Sequence, residues 1–140
     1  MTWRRLLLMI ALSCTTSVQA RDLNGNYAVF GAGGRTCADY LQARDQGGEA
    51  ALAFAQWVAG HLSAYNLLLD KTYNILGEVT PFQLMAELDA YCREARDLPF
   101  VQALALHLEK LYEVRANLSP NQPSNWKGWL EEMARGRKGE

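Results

Sequence analysis

The chain has 140 residues, of which 49% are hydrophobic and 21% charged, with 14 Lys and Arg against 15 Asp and Glu. This composition is that of one small globular domain, and it excludes a disordered acidic tail or a collagen-like repeat. A net charge of −1 also argues against a nucleic-acid-binding protein, which needs a concentrated basic face for the phosphates.

The first twenty residues have the pattern of a secretory signal peptide. Arg4 and Arg5 precede an apolar run at 6–12 that is too short to span a bilayer. One alternative is a buried N-terminal helix, although the run lacks amphipathic spacing. Another is a lipoprotein in which Cys14 carries the lipid.

Small residues also mark where such a signal peptide would be removed. Val18 and Ala20 occupy the −3 and −1 positions of a cleavage site, which predicts cleavage between Ala20 and Arg21. The mature chain then carries 12 basic against 15 acidic residues, and three cysteines become two. An even number of cysteines in an exported domain indicates a disulfide, here between Cys37 and Cys92. Two unrelated buried thiols are the alternative.

The mature chain begins with turn residues and one short predicted helix. Residues 24–34 end in a glycine cluster at 31–34. This cluster lacks the spacing and the Lys-Ser/Thr ending of a phosphate loop, and it is interpreted as a flexible connector. Thr36 is placed to cap a helix that has Cys37, Tyr40 and Leu41 on one face.

The longest predicted helix covers residues 49–69. Apolar residues recur there at steps of three and four, and so few polar residues interrupt them that the helix is apolar nearly all round. This pattern predicts a position in the middle of a helical bundle. The interrupting polar residues and the central Gly60 argue against a membrane span.

Two further helices follow a loop at 70–79. Thr80, Pro81 and Gln83 form a capping box with proline at the first helical position. The chain breaks near 97–99, and a regular apolar stripe then predicts a helix that ends near residue 115.

The C-terminal part predicts a linker and a short helix. Residues 116–125 are polar and punctuated by prolines, and Trp126, Trp129, Leu130 and Met133 then share one helical face. So short a helix is unstable alone and needs a docking surface. It can dock on its own bundle, bind a partner through its tryptophans, or lie on a membrane.

The sequence contains no evident catalytic constellation. His61 and His107 lack partners at metal-ligand spacing, and no known nucleophile, metal or phosphate-loop motif occurs. His61 lies one turn from both Trp57 and Tyr65, which predicts a partly buried structural imidazole. His107 and Asp89 are predicted on solvated helix faces. We therefore expect a protein that is not an enzyme and takes no cofactor or metal.

Three strings resemble a family of small exported proteobacterial proteins. They are GGRTCADYL at 33–41, WVAGHLSAYN at 57–66 and LDAYCR at 88–93. With the Thr80-Pro81 helix start, the layout over residues 27–115 is similar to that of the HdeA/HdeB periplasmic acid-stress chaperones. The resemblance implies that Cys37 and Cys92 close a disulfide across a helical domain.

A second resemblance rests on one shorter string. VTPFQL at 79–84 is similar to the helix start of the periplasmic immunity proteins of type VI secretion. These small helical proteins also contain a disulfide, and they bind and block a partner toxin.

Together these observations predict an all-α, disulfide-stapled bundle of four or five helices after a signal peptide at 1–20. Its parts are an HdeA-like helical domain at 21–115 and, at 116–140, a linker with a short tryptophan-containing helix. We expect a periplasmic binding protein without nucleic-acid partners or a stable membrane span. It would be a chaperone for unfolded protein clients or an inhibitor of one protein partner. The sequence leaves open whether it forms a homodimer. The candidate partner-binding residues are Trp57, His61, Tyr65, Trp126 and Trp129.

Overall fold

The computed structural model describes residue 22, residues 24–119 and residues 126–135. Over these residues the chain forms five α-helices and two short 3-10 turns, at Gly31–Gly34 and Tyr112–Val114, without a β-strand. The α-helices are α1 (Cys37–Gln46), α2 (Gly48–Leu68), α3 (Pro81–Glu94), α4 (Phe100–Leu111) and α5 (Trp126–Arg135). The prediction of an all-α fold with four or five helices is confirmed.

Two of these helices begin at capping boxes. The Thr36 hydroxyl accepts a hydrogen bond from the Asp39 amide at 3.2 Å, and the Asp39 carboxylate accepts one from the Thr36 amide at 3.0 Å. Hydrogen bonds from the Thr36 amide and hydroxyl lower the pKa of the Asp39 carboxyl. Thr80 and Gln83 pair in the same way ahead of α3, as the sequence predicts. Each pair satisfies backbone donors that a helix start would otherwise leave unpaired.

A glycine pair makes the corner between α1 and α2. Gly47 and Gly48 have φ values of 69° and 62°, in the left-handed region where a side chain would be strained. This corner separates the two helices by one residue. α2 then runs close to the predicted 49–69, and none of the described helices combines the length and hydropathy needed to cross a bilayer.

Three aromatic rings and the disulfide form the middle of the core. Tyr40, Phe54 and Phe100 come from α1, α2 and α4, and all three are fully buried. The Tyr40 ring stacks on Phe100 at a centroid distance of 4.4 Å, and Phe54 meets both rings edge-on. The predicted bond between Cys37 and Cys92 is present and joins the start of α1 to the end of α3.

Backbone hydrogen bonds close the bundle around this core. The Cys37 amide donates to the Leu98 carbonyl, and the Phe100 amide donates to the Arg35 carbonyl, both at 2.8 Å. The predicted loop at 70–79 is present, but it places Ile75 and Leu76 in the core.

The glycine cluster predicted as a flexible connector forms the first 3-10 turn, and it packs on Trp57. The Trp57 Nε1–H donates to the Phe30 carbonyl at 2.8 Å. Gly33 is buried so closely under the indole that an added Cβ would overlap the ring. The turn therefore has a defined structure because glycine lets the backbone approach the ring.

Replacing Gly33 with alanine is expected to destabilise the protein by about 1–3 kcal/mol, because the indole has to move from its hydrogen-bonded position. The matched control is Gly60→Ala, since a Cβ at this helical position meets nothing within 4 Å. Gly60→Ala is expected to stabilise the protein by about 0.5–1 kcal/mol. Urea denaturation of both variants checks the pair, and equal effects would contradict the packing argument.

Candidate functional site

One side of α2 carries a row of apolar and aromatic side chains, which we call the α2 stripe and define as Trp57, His61, Tyr65 and Leu68. The spacing of four, four and three residues places them on adjacent turns of one side. The Trp57 and His61 rings stack at 4.8 Å, and the His61 and Tyr65 rings lie 5.1 Å apart. The three rings are half-buried, whereas Leu68 is 79% exposed. The α2 stripe therefore runs from the core to open surface.

The first ring of the stripe belongs partly to the core, and the second is half-buried as the sequence predicts. Trp57 lies 6.0 Å from the Phe100 ring and covers the N-terminal 3-10 turn. Burial lowers the pKa of the His61 imidazole, because a charged ring loses hydration between its neighbours. His61 is therefore harder to protonate in the folded chain than in the unfolded chain.

We expect His61 to make the protein less stable in mild acid. Below the ordinary histidine pKa of about 6.5 the unfolded chain binds a proton more readily than the folded chain, so unfolding becomes more favourable as the pH falls. His61→Phe keeps a ring between Trp57 and Tyr65 but removes this titration. Urea midpoints of both proteins between pH 7.5 and 5 test the effect. If the difference in urea midpoint between the wild type and His61→Phe does not change with pH, the prediction is contradicted.

A buried polar cluster joins α1 to α3 about one to two helical turns away from the disulfide. Asp89 is 5% exposed, so the prediction that it lies on a solvated helix face is wrong. Its carboxylate accepts hydrogen bonds from the Tyr40 hydroxyl at 2.7 Å and from Arg44 Nε and Nη2 at 3.2 and 3.1 Å. Burial lowers the pKa of the Arg44 guanidinium, but the hydrogen bonds to Asp89 and the negative charge of its carboxylate outweigh this, and the net pKa is raised.

A signal for this cluster exists in the sequence around the two cysteines. Tyr40 and Arg44 lie three and seven residues after Cys37, on the face of α1 that carries the cysteine. Asp89 lies three residues before Cys92 on the matching face of α3. The disulfide joins the start of α1 to the end of α3, so the two helices run antiparallel from it with these faces opposed. This arrangement brings Arg44 to the Asp89 carboxylate.

His107 also differs from the sequence-based expectation. It is 6% exposed and lies between α4 and α3, where its ring meets the Tyr91 ring edge-on at 5.4 Å. Nδ1 lies 2.8 Å from the Ala103 carbonyl oxygen, which can only accept, so this nitrogen carries the proton. The predicted solvated position is wrong. The imidazole can be buried because the backbone carbonyl one turn earlier in α4 accepts its hydrogen bond.

α5 packs along α2, the first of the three alternatives that the sequence left open. Met133 is 2% exposed and belongs to the hydrophobic core, and Leu130 packs against it. The candidate residues Trp126 and Trp129 lie in α5, but their side chains are outside the described part of the chain. The signal peptide, Cys14 and the cleavage site at Ala20 and Arg21 also lie outside it.

The surface of the described residues carries clefts that are open to solvent. One cleft, of about 770 Å³, lies between residues 25–29 and the start of α4 and is open to solvent. Within the described ranges no group of three His, Cys, Asp or Glu side chains is placed to hold a metal ion. Cys37 and Cys92 form the disulfide, so neither provides a free thiol.

The geometry therefore describes a small, disulfide-bonded, all-α domain with an apolar stripe that reaches the surface. Such a disulfide is typical of a protein that folds in an oxidising compartment. Comparison of the chain with protein-family models, with curated proteins and with solved structures finds no match.

Proposed function

We propose that this chain is a non-catalytic binding protein of the periplasm, which captures unfolded protein clients in acid in the manner of the HdeA-like chaperones. The observation that carries the proposal is the α2 stripe. Its aromatic part is half-buried, its outer end is the exposed Leu68, and the adjacent Leu67 is 83% exposed. Contiguous apolar surface on a small domain marks a site for protein partners.

The location is proposed from two features. The disulfide between Cys37 and Cys92 supports an oxidising compartment, and the pattern at residues 1–20 is that of an export signal. A periplasmic protein meets acid whenever the surroundings of the cell become acidic, because the outer membrane lets small ions pass.

Acid acts on this fold in three ways that support the proposal. Protonating the carboxylates leaves about 14 positive charges on the mature chain, and their repulsion favours expansion. It also removes the counter-charge of Arg44 at Asp89, and it charges the half-buried His61. The Cys37–Cys92 bond limits how far the opened chain can expand. The result would be an open chain that exposes the apolar residues of α2.

The experiment measures light scattering of an aggregating client at pH ~2–3 with and without the protein. Leu68→Lys places a charge, which persists in acid, at the outer end of the α2 stripe, and Leu67→Lys places the same charge one residue away on another side of α2. We expect the wild type to suppress aggregation, Leu68→Lys to suppress it several-fold less, and Leu67→Lys to be intermediate. A wild-type chain that stays folded at this pH, or that unfolds and protects nothing, contradicts the chaperone proposal.

One observation favours a second candidate, an inhibitor or immunity protein that blocks one secreted toxin or enzyme. The outer end of the α2 stripe is exposed in the folded state, so binding there needs no unfolding. This candidate predicts a stoichiometric complex at neutral pH with the product of a neighbouring toxin gene, weakened by Leu68→Lys. Size-exclusion chromatography of the mixture decides between the two functions, because a chaperone of the proposed kind forms no such complex at neutral pH.

A further inference from the structure

Two of the described side chains of α5, Met133 and Leu130, pack on the hydrophobic core. The helix packs along α2, with Met133 inserted into the core and Leu130 against its edge. α5 has only ten residues, so it depends on this seat for its helical structure. Whatever loosens the seat therefore releases the whole helix.

The guanidinium of Arg44 connects that seat to the α1–α3 interface. Arg44 Nη1 lies 2.9 Å from the Met133 sulfur, while Nε and Nη2 of the same group bind the two carboxylate oxygens of Asp89. Both members of the ion pair are largely shielded from solvent. The position of the guanidinium under α5 therefore depends on the charge of Asp89.

The neighbouring helices determine which groups can compensate for a change at Asp89. From α1 the facing groups are Tyr40 and Arg44. Among the α5 side chains that the structure describes, the uncharged Met133 contacts the cluster, and the charged Glu131, Glu132 and Arg135 are exposed.

The histidines of the two remaining neighbours are engaged elsewhere. On α4, His107 lies against Tyr91. On α2, His61 is stacked in the α2 stripe. In the described ion pair of Arg44, the partner is therefore the carboxylate of Asp89.

We propose that α5 is a displaceable cover, tied down through the Arg44–Asp89 ion pair, over a surface of α2 that binds an amphipathic helix of a client protein. When Asp89 is protonated, the buried guanidinium loses its counter-charge and turns towards water, which removes the contact with Met133. The disulfide keeps α1 and α3 together while α5 leaves.

The occupant of the uncovered surface is indicated by α5 itself, which inserts Met133 and packs Leu130, three residues earlier, against the core. A client segment that fits the same seat is a helix with apolar residues at this spacing. This part rests on the proposed function, because it identifies the kind of segment that a client would supply.

The first test follows hydrogen exchange of the full chain from pH 7 to pH 3, after correction for the intrinsic pH dependence of exchange. In the wild type, α5 amides are expected to lose protection at a higher pH than α3 amides near Cys92. The double variant Arg44→Met/Asp89→Leu replaces the ion pair with apolar side chains and should slow this loss about tenfold or more at the same pH. Asp89→Asn, which serves if the double variant does not fold, should expose α5 already at neutral pH. Simultaneous loss of protection in α5 and α3, or a variant that opens like the wild type, overturns the proposal.

The second test addresses the surface under α5 at neutral pH. Met133→Lys in the full chain vacates the seat, and a synthetic peptide of residues 126–135, labelled for fluorescence anisotropy, is the probe. Binding to Met133→Lys but not to the wild type supports a surface that accepts a helix, and no binding to a variant with a native circular dichroism spectrum overturns it.

The client assay separates this proposal from the proposed function. If the wild type releases α5 in acid but does not suppress client aggregation, the chaperone function fails and the cover stands. If the Arg44→Met/Asp89→Leu variant keeps α5 closed in acid yet protects the client as well as the wild type, the cover fails and the chaperone function stands.

Discussion

Removing the bond between Cys37 and Cys92 is expected to lower the free energy of unfolding by about 4 kcal/mol. The cysteines are 55 residues apart, and a crosslink over such a span restricts the unfolded chain by roughly this amount in the chain-entropy treatment. For a domain whose net stability is about 5–15 kcal/mol, this is a large fraction. Urea denaturation of the wild type and of the Cys37→Ala/Cys92→Ala variant measures the loss directly.

Reductant provides the control for this prediction. Dithiothreitol should destabilise the wild type by a similar amount and leave the double alanine variant unchanged. An unfolding midpoint of the wild type that does not respond to reductant would show that the bond contributes little. Mass spectrometry under non-reducing conditions independently establishes whether the purified protein contains the bond.

Asp89→Ala is expected to cost about 3–5 kcal/mol, because it leaves the Arg44 guanidinium buried without a counter-charge. The Tyr40 hydroxyl also loses its closest acceptor, although the Met85 carbonyl at 3.4 Å remains near it. The matched control is Glu87→Ala on the exposed side of α3, which should change stability by less than about 0.5 kcal/mol.

Tyr40→Phe distinguishes the contribution of the Tyr40 hydrogen bond to Asp89 from that of the Arg44 ion pair. It removes one uncharged donor and keeps the ring in the aromatic core, so its cost should be about 1 kcal/mol, well below that of Asp89→Ala. Thermal or urea unfolding of the three variants gives the order directly. An Asp89→Ala protein as stable as Glu87→Ala would mean that the ion pair contributes nothing to the fold.

The helix boundaries could be predicted because they depend on residues within a turn of each boundary. Thr80, Pro81 and Gln83 form the start of α3 whatever the helix packs against, and the pair at Gly47 and Gly48 interrupts the helix through its own backbone conformation. Cysteine counting after the predicted cleavage likewise led to the disulfide, since two cysteines leave one pairing. The α2 stripe is a local property too, as its spacing follows the helical repeat.

Burial of single polar residues was decided by tertiary structure, because it depends on which faces of two distant helices meet. Asp89 has the sequence surroundings of an exposed position, yet the disulfide aligns its face with that of Arg44, 45 residues earlier. His107 is similarly covered by α3.

By itself, then, the sequence determined the helices, their caps and breaks, the two paired cysteines and the apolar row on α2, all of which follow from residues near one another in the chain or from counting. Only the tertiary structure decided that Arg44 and Asp89 form a buried ion pair, that Ile75 and Leu76 belong to the core and that α5 lies on α2. The physical reason is that desolvation, ion pairing and packing depend on side chains that distant segments bring into contact, and periodicity along one helix carries no information about its partner.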